Sequence, residues 1–318
     1  MTQLVRRSWL LIPATDQDLI EGSWEAGADV IVLDLEDLVH DSRKFEARAR
    51  IQEGIGHARK GGAEVFVRCD LELLYADLEA SVCRGLEGII LPKVHSIAQV
   101  REAEETLARF EAQRGVMKAG LIGEVNEIDE PRNVENSLEI QLSLEDAEGN
   151  YEAINLLQAS HRIRSVSLGR ADLVMDLRAE PTGELHLLNY LMQRLVIVAN
   201  TAGVTPIGAW WQGNSRGMQA SPNDTLASAQ LGRAVGFKGA LCVSPEQVRP
   251  LNQGFTPSRE EVAQARSWLD ARSDGKPYAE VDGVLVDEAL AGAAQRVLDW
   301  AAACAERDRF KEEAVKRA

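Results

Sequence analysis

Cysteine and histidine are scarce in this 318-residue chain. The four cysteines, Cys69, Cys83, Cys242 and Cys304, form no CxxC pair and have no histidine at metal-ligand spacing. This pattern gives no basis for a zinc site or a disulfide framework, so we expect a protein of the reducing cytoplasm.

Long apolar runs and an excess of basic residues are also missing. No apolar stretch reaches the roughly 18 residues of a membrane-spanning helix, and "SWLLIP" is too short for the core of a signal peptide. Lysine and arginine total 35 against 50 aspartates and glutamates, a formal charge of −15 that repels nucleic acid and anionic lipid. We therefore expect neither a nucleic-acid partner nor a membrane.

Short apolar runs alternate with helical patterns along the chain. Continuously apolar runs are typical of parallel strands that are buried on both faces. Eight are found: "SWLLIP", "DVIVLDL", "EVFVRC", "GIILPK", "LEIQLSLE", "RSVSLG", "GVTPIGA" and "GALCVS". Helical patterns cover 16–27, 43–60, 72–86, 96–113, 150–160, 184–202 and 223–236. This alternation predicts an α/β fold of the (β/α)8 TIM-barrel type. A doubly wound open sheet is the alternative, weakened by the lack of GxGxxG after a strand.

The segment after the eighth strand reads as further helices joined by the polar linker "SDGKPYAEVDG". We expect a barrel over residues 1–253 and a C-terminal helical extension over 254–318. Two connections are unusually long: the acidic insertion 115–137, and the loop 209–224 with its adjacent Trp210 and Trp211. The second follows a strand and is expected on the catalytic face of the barrel, whereas the first is expected on the opposite face.

Charged residues follow several of the predicted strands. They are Asp34, Glu36, Asp37, Arg68, Lys93, Glu145 and Asp172. Because clustered carboxylates repel each other unless they share a cation or a proton, and because Mg²⁺ prefers oxygen ligands, the sequence predicts a divalent-cation site at this end of the barrel. An aspartate after a strand can instead cap the next helix, and this alternative stays open for Asp37. On local sequence alone, a solvated loop carboxylate is the favoured interpretation of Glu145.

Five segments, in order along the chain, carry a family resemblance. "RRSWLLIPATDQDLIEGSWEAGADVIVLDLEDLVHDSRKFEARARI" resembles the opening of the citrate lyase beta-subunit-like branch of the HpcH/HpaI aldolase superfamily. Downstream, "VFVRCD", "GIILPKV", "SLGRADLVMDL" and "VSPEQVRPLNQGFTPS" are similar to further segments of that family. The resemblance covers nearly the whole chain, and the order of the pieces is more specific than any one of them.

The resemblance implies a (β/α)8 barrel that binds Mg²⁺, or Mn²⁺ in its place, through one glutamate and one aspartate. Asp172 matches the aspartate. Glu145 is preferred as the glutamate because the small residues after it keep the family's spacing, and Glu124 is the alternative. Arg68 matches the arginine that binds the substrate carboxylate and the enolate oxygen, a role suited to a bidentate guanidinium.

Further roles are implied for four other residues. Asp34 and Glu36 would orient Arg68 and metal-bound water. Asp287 resembles an acid/base group that reaches the active site of a neighbouring subunit, in a homotrimer or hexamer. Arg7 resembles a position associated with CoA phosphate contacts.

The implied reaction is Mg²⁺-dependent cleavage or formation of a carbon–carbon bond in a malyl-, citramalyl- or citryl-CoA type thioester, with an α-keto acid as the other fragment. Three residues depart from the family pattern: Ala14, Asp70 and Ser244 replace the usual Gly, Asn and His. Two alternatives therefore stay open. One is a class II aldolase that acts on a free 4-hydroxy-2-oxo acid without CoA, and the other is a subunit that works only in a citrate-lyase-like complex.

Overall fold

A computed structural model describes residues 4–116, 137–178, 181–211, 217, 220–272 and 277–317. Within these residues, eight parallel strands form one sheet in the order β7-β6-β5-β4-β3-β2-β1-β8. The strands are β1 Ser8–Pro13, β2 Val30–Asp34, β3 Glu64–Arg68, β4 Gly88–Leu91, β5 Glu139–Leu144, β6 Ile163–Leu168, β7 Thr205–Ile207 and β8 Ala240–Cys242. Seven of the eight predicted runs contain one of these strands in full, and the run "RSVSLG" covers β6 except its first residue, Ile163.

The sheet closes between β7 and β8 through backbone hydrogen bonds. Gly208 N donates to the carbonyl of Gly239 at 2.6 Å, and Lys238 N donates to the carbonyl of Pro206 at 3.1 Å. The predicted (β/α)8 barrel is confirmed, and the doubly wound alternative is wrong because an open sheet would leave these two edges unpaired.

Helices follow the strands in chain order. The barrel helices are α1 Gln17–Gly22, α2 Lys44–Ala58, α3 Leu74–Ser81, α4 Ile97–Arg114, α5 Ala147–Tyr151, α6 Ala153–Leu157, α7 Arg170–Asp176, α8 Pro181–Ala202, α9 Pro222–Val235 and α10 Pro245–Phe255. The sequence patterns missed α7, a short helix that starts two residues after β6. Its seven residues make only about two turns, too few to show a clear helical period.

Two apolar layers result from the alternation of side chains along the strands. Residues that point outward pack against the helices in one large cluster. Inside the barrel, Trp9, Leu11, Val30, Val32, Phe66, Ile90 and Ile207 form a second cluster. The rings of Trp9 and Phe66 lie 5.0 Å apart at its centre. The interior is therefore filled below the site, which leaves space for a ligand only near the carboxyl ends of the strands.

The chain beyond α10 contains α11 Arg259–Ala271 and α12 Glu288–Val315, with an antiparallel hairpin between them. The hairpin pairs β9 Ala279–Val281 with β10 Val284–Val286. The prediction of a linker is therefore wrong in part, because the second half of that segment belongs to the hairpin. Asp282 and Gly283 have positive φ angles of 50° and 76°, as a tight two-residue hairpin turn requires. The expected boundary at residue 253 falls within the last turn of α10.

Buried ion pairs hold α12 against the amino-terminal end of the barrel. Arg7 donates to both carboxylate oxygens of Asp29, at 2.8 and 3.0 Å, and also contacts Asp308 on α12. Lys311 on α12 contacts the same Asp29. Arg7 and Asp29 are almost fully buried, so these pairs link the first strand, the second strand and the last helix.

A membrane-spanning helix is not found: none of the helices in the described part of the chain is both long and apolar enough.

Candidate active site

The loop after β2 is organised by Asp34, the last residue of that strand. Its carboxylate is fully buried and accepts hydrogen bonds from the backbone amides of Glu36 at 3.2 Å and Leu38 at 2.8 Å. These bonds fold the chain back at the end of the strand. Glu36 and Asp37 are thereby placed at the carboxyl end of the barrel.

Arg68 ends β3 and lies in register with Asp34. Its Nε and Nη2 donate to the two oxygens of Asp34 at 2.5 and 2.8 Å, while Nη1 lies 3.2 Å from Glu36 Oε2. Burial opposes a charge here, but the hydrogen bond and charge of Asp34 outweigh it and raise the pKa of Arg68. The guanidinium is therefore a permanent cation held in one orientation.

Lys93, just beyond β4, contacts the loop after β2 from the other side. Its ammonium contacts Glu36 and lies 3.0 Å from Asp37 Oδ1. The residue adopts φ of 54°, a left-handed conformation that is uncommon for a residue with a side chain. Burial opposes ionisation of Asp37, but the hydrogen bond from Lys93 prevails and lowers the pKa of Asp37. Asp37 is thus held as a carboxylate.

Glu145 follows β5 and points into the barrel mouth, while the next residue, Asp146, caps α5 by accepting from Gly149 N. Glu145 is only 3% exposed. Burial, with the nearby carboxylates Glu36 and Asp172 in addition, raises the pKa of Glu145 to about 7, although Ser143 and Arg68 oppose the shift. Without a cation this carboxylate is costly to ionise.

Asp37, Glu145 and Asp172 converge at the mouth of the barrel. One carboxylate oxygen of each lies within 4.8 Å of the other two. Oxygens around one Mg²⁺ at about 2.1 Å lie roughly 3–4 Å apart, so small rotations of these side chains bring them to that spacing. An all-carboxylate set with a raised pKa at its buried member fits a hard divalent cation such as Mg²⁺.

The three carboxylates and Arg68 line one cavity of about 310 Å³. The remaining walls come from all the strands from β5 to β8 and from β1, from α7 and α8, and from the loop after β7. Gly169, after β6, also lines it and lies directly against Glu145: a methyl group built there would be 2.4 Å from Glu145 Cγ. Backbone contact therefore fixes the side chain of Glu145 from one side.

The structure brings together five of the residues named from the sequence: Asp34, Glu36, Arg68, Glu145 and Asp172. It does not bring Arg7 to this site. Arg7 lies before β1, at the opposite end of the barrel, with its guanidinium engaged by Asp29 and Asp308. Its position offers no contact with a ligand in the cavity.

Two further residues lie apart from the cavity. Asp287 is the N-cap of α12 and accepts from Leu290 N at 2.8 Å. The contacts described for it include no cavity residue, so a role for Asp287 depends on a second subunit. Glu124 and most of the insertion 115–137 lie outside the described residues, so Glu124 cannot be compared with Glu145.

Asp37 is among the charged residues that the sequence places after the strands but is not predicted as a metal ligand, and the structure places it in the carboxylate cluster. Its helix-capping alternative does not hold in the structure, where His40 caps the following turn by accepting from Ser42 N. The signal for a role as a ligand is the position of Asp37 three residues beyond the end of β2, where its side chain lies over the barrel mouth. Trp211, in the loop expected on the catalytic face, lines the cavity.

Solved structures with the same architecture include a citrate lyase from Burkholderia xenovorans, with a TM-score of 0.74, 16% identity and coverage of 98% of this chain and 97% of that one. Another is the protein CitE from Mycobacterium tuberculosis in complex with magnesium, acetoacetate and coenzyme A, with a TM-score of 0.69, 21% identity and coverage of 94% and 98%. At these identities the likeness shows the fold.

The family follows from the sequence comparisons. The HpcH/HpaI aldolase/citrate lyase model matches residues 7–245, and the chain belongs to this family of carbon–carbon lyases. Citrate lyase subunit beta of Leuconostoc mesenteroides is 25% identical over 304 residues, 93% of either chain. The L-malyl-CoA/beta-methylmalyl-CoA lyase of Cereibacter sphaeroides is 27% identical over 298 residues, 86% of either chain.

Proposed function

We propose that this protein is a Mg²⁺-dependent lyase that cleaves or forms a carbon–carbon bond between an α-keto acid and the enolate of a CoA thioester, as in malyl-, citramalyl- or citryl-CoA type substrates. The observation that carries the proposal is the convergence of Asp37, Glu145 and Asp172 beside Arg68 in one cavity. The related malyl-CoA lyase and the CitE complex with magnesium and coenzyme A support it.

Asp37, Glu145 and Asp172 would hold the Mg²⁺ ion. Mn²⁺ would also fit at this site. A bound cation of this kind would supply Lewis-acid polarisation of the keto acid's carbonyl.

Arg68 would stabilise the negative charge that develops on the enolate oxygen. Asp34 engages Nε and Nη2, so the guanidinium plane is set before the substrate binds. A preorganised donor of this kind needs no rearrangement in the transition state. Glu36 lies beside Nη1 and is itself contacted by Lys93. Asp287 of a neighbouring subunit would transfer the proton in a homotrimer or hexamer.

The first test is calorimetric titration of metal-free protein with Mg²⁺ plus oxalate, a mimic of an α-keto acid enolate. We expect metal-dependent oxalate binding by the wild type and its loss in Glu145→Gln and Asp172→Asn. Asp41→Asn is the control, because the Asp41 side chain is 96% exposed and lies outside the carboxylate cluster. If the wild type binds no oxalate, or if Glu145→Ala binds normally and Glu124→Ala does not, the assignment fails.

A second candidate is an aldolase that acts on a free 4-hydroxy-2-oxo acid. Lys44 contacts Asp70, Lys93 contacts Glu36 and Asp37, and Arg68 contacts Asp34. These three cations at the carboxyl end of the barrel are thus already paired, although only Arg68 of them lines the cavity, and the phosphates of CoA would need cations of their own. This observation favours a substrate without CoA.

Hydrogen–deuterium exchange separates the two candidates. In deuterated buffer with Mg²⁺, a CoA lyase should exchange the methyl protons of acetyl-CoA when oxalate is present, because the thioester forms the enolate. An aldolase for free oxo acids should instead exchange the methyl protons of pyruvate. Proton NMR of the two methyl signals decides which enolate the purified chain forms.

A further inference from the structure

The cavity has two chemically different sides. The charged groups come from the loops after β2, β3, β5 and β6. The opposite side is formed by β7, β8 and β1, together with α8 and the loop after β7. Its principal side chains are Leu11, Met192, Ile207, Trp211, Leu241 and Val243.

This opposite side, here called the apolar wall, continues the packed interior of the barrel. Leu11 and Ile207 belong to the interior cluster, and Leu241 and Val243 pack against it. Trp211 is 8% exposed and rests on the backbone of Gly217, where a methyl group would lie 2.5 Å from the indole. The wall is therefore rigid, and among the described residues it contains no charged side chain.

A charged group placed against the apolar wall would lose its water without gaining a partner, which costs several kcal/mol in general. An aliphatic group placed there gains free energy from burial. The cavity of about 310 Å³ holds roughly ten water molecules at about 30 Å³ each, more than a three-carbon acid displaces. Space therefore remains along the wall after a small oxo acid has bound at the carboxylates.

We propose that the α-keto acid taken by this site carries an uncharged aliphatic substituent that lies against the apolar wall. The inference rests on the proposed function for the chelating end of the substrate. It narrows the substrate class to monocarboxylic 2-oxo acids with a short apolar chain, and it disfavours keto acids with a second carboxylate. Leu241 and Val243 are then specificity-determining residues.

The test compares 2-oxo acids by Mg²⁺-dependent calorimetric binding, with oxalate as the reference that has no side chain. The matched pair is 5-methyl-2-oxohexanoate and 2-oxoglutarate, because a terminal isopropyl group has nearly the shape of a carboxylate. We expect the branched acid to bind at least about tenfold more tightly. From pyruvate to 2-oxovalerate, the affinity should rise by about fourfold for each methylene buried.

Val243→Lys places a cation at the rim of the apolar wall and should reverse the order of affinity within the matched pair. Val235→Lys is the control, since Val235 is 39% exposed at the end of α9, away from the cavity. If the wild type binds oxalate but binds 2-oxoglutarate as tightly as 5-methyl-2-oxohexanoate, the inference is overturned. If oxalate does not bind at all, the proposed function fails, and the inference falls with it.

Discussion

Asp34 and Arg68 face each other in register across β2 and β3 and share two hydrogen bonds, of 2.5 and 2.8 Å. Asp34 is fully buried and also fixes the loop that contains Glu36 and Asp37. The pair therefore couples the arginine that we propose to bind the enolate to one of the carboxylates that would hold the cation. A change in either residue should affect both halves of the site.

Arg68→Lys keeps the positive charge but removes the guanidinium fork. We expect the rate of methyl-proton exchange to fall by on the order of 10²-fold, as when one oxyanion donor is removed. The proton exchange rate by NMR is the measurement. Arg43→Lys is a suitable control, because Arg43 is half exposed and pairs only with the neighbouring Glu46 on the helix surface. An exchange rate within twofold of the wild type would contradict the assigned role.

Gly169→Ala should displace the Glu145 carboxylate without changing any candidate ligand, because the new methyl group would lie 2.4 Å from Glu145 Cγ. The backbone at Gly169 has φ of −80°, which alanine adopts without strain. We expect at least tenfold weaker Mg²⁺-dependent oxalate binding in a folded protein. Gly56→Ala, with nothing within 4 Å of the added carbon, should bind oxalate normally.

Metal-free protein should lose stability as the pH rises from about 4.5 to about 7. The pKa of Glu145 is raised to about 7, so the folded state holds a proton that the unfolded state releases near its ordinary pKa. Stability then falls with pH in this window. Melting temperatures at pH 5 and pH 8 test this prediction. In Glu145→Gln, the difference between the two melting temperatures should become smaller. Added Mg²⁺ should stabilise the wild type more at pH 8, and equal stabilisation at both values would argue against a cation at Glu145.

Asp287→Asn removes the carboxylate but keeps a side chain that caps α12 about as well. If Asp287 transfers a proton in a neighbouring subunit, the exchange rate should drop at least tenfold while oxalate affinity and melting temperature stay unchanged. Light scattering of the same sample should then give a trimer or a multiple of it. Unchanged exchange would leave Asp287 with the capping role alone.

Arg7→Met should destabilise the fold without weakening ligand binding. Asp29 would lose its bidentate partner while fully buried, and breaking such a pair costs about 3–5 kcal/mol. The free energy of unfolding in urea measures the loss. Binding of oxalate and of a CoA thioester should stay unchanged in the folded variant. Selective loss of CoA binding would instead restore the role that the family resemblance implies for Arg7.

Much of the architecture follows from local patterns. Strands buried on both faces are continuously apolar, so each of the eight barrel strands is visible in the sequence as a short run, whereas the two strands of the hairpin β9–β10 are not. The ends of those runs place Asp34, Arg68, Glu145 and Asp172 at one end of the barrel. The sequence also resembles the HpcH/HpaI family. The family model that matches residues 7–245 confirms this resemblance.

Other features depend on distances that no local pattern contains. Asp37 belongs to the carboxylate cluster because Asp34 folds the loop back and Lys93 holds Asp37 across a separation of 56 residues. Arg7 leaves the candidate site because its partner Asp308 lies 301 residues away on the last helix. The sequence by itself therefore determined the barrel and which strand ends carry charge. The tertiary structure alone decided which of those charges meet and that the facing wall is apolar, since both depend on how the sheet closes between β7 and β8.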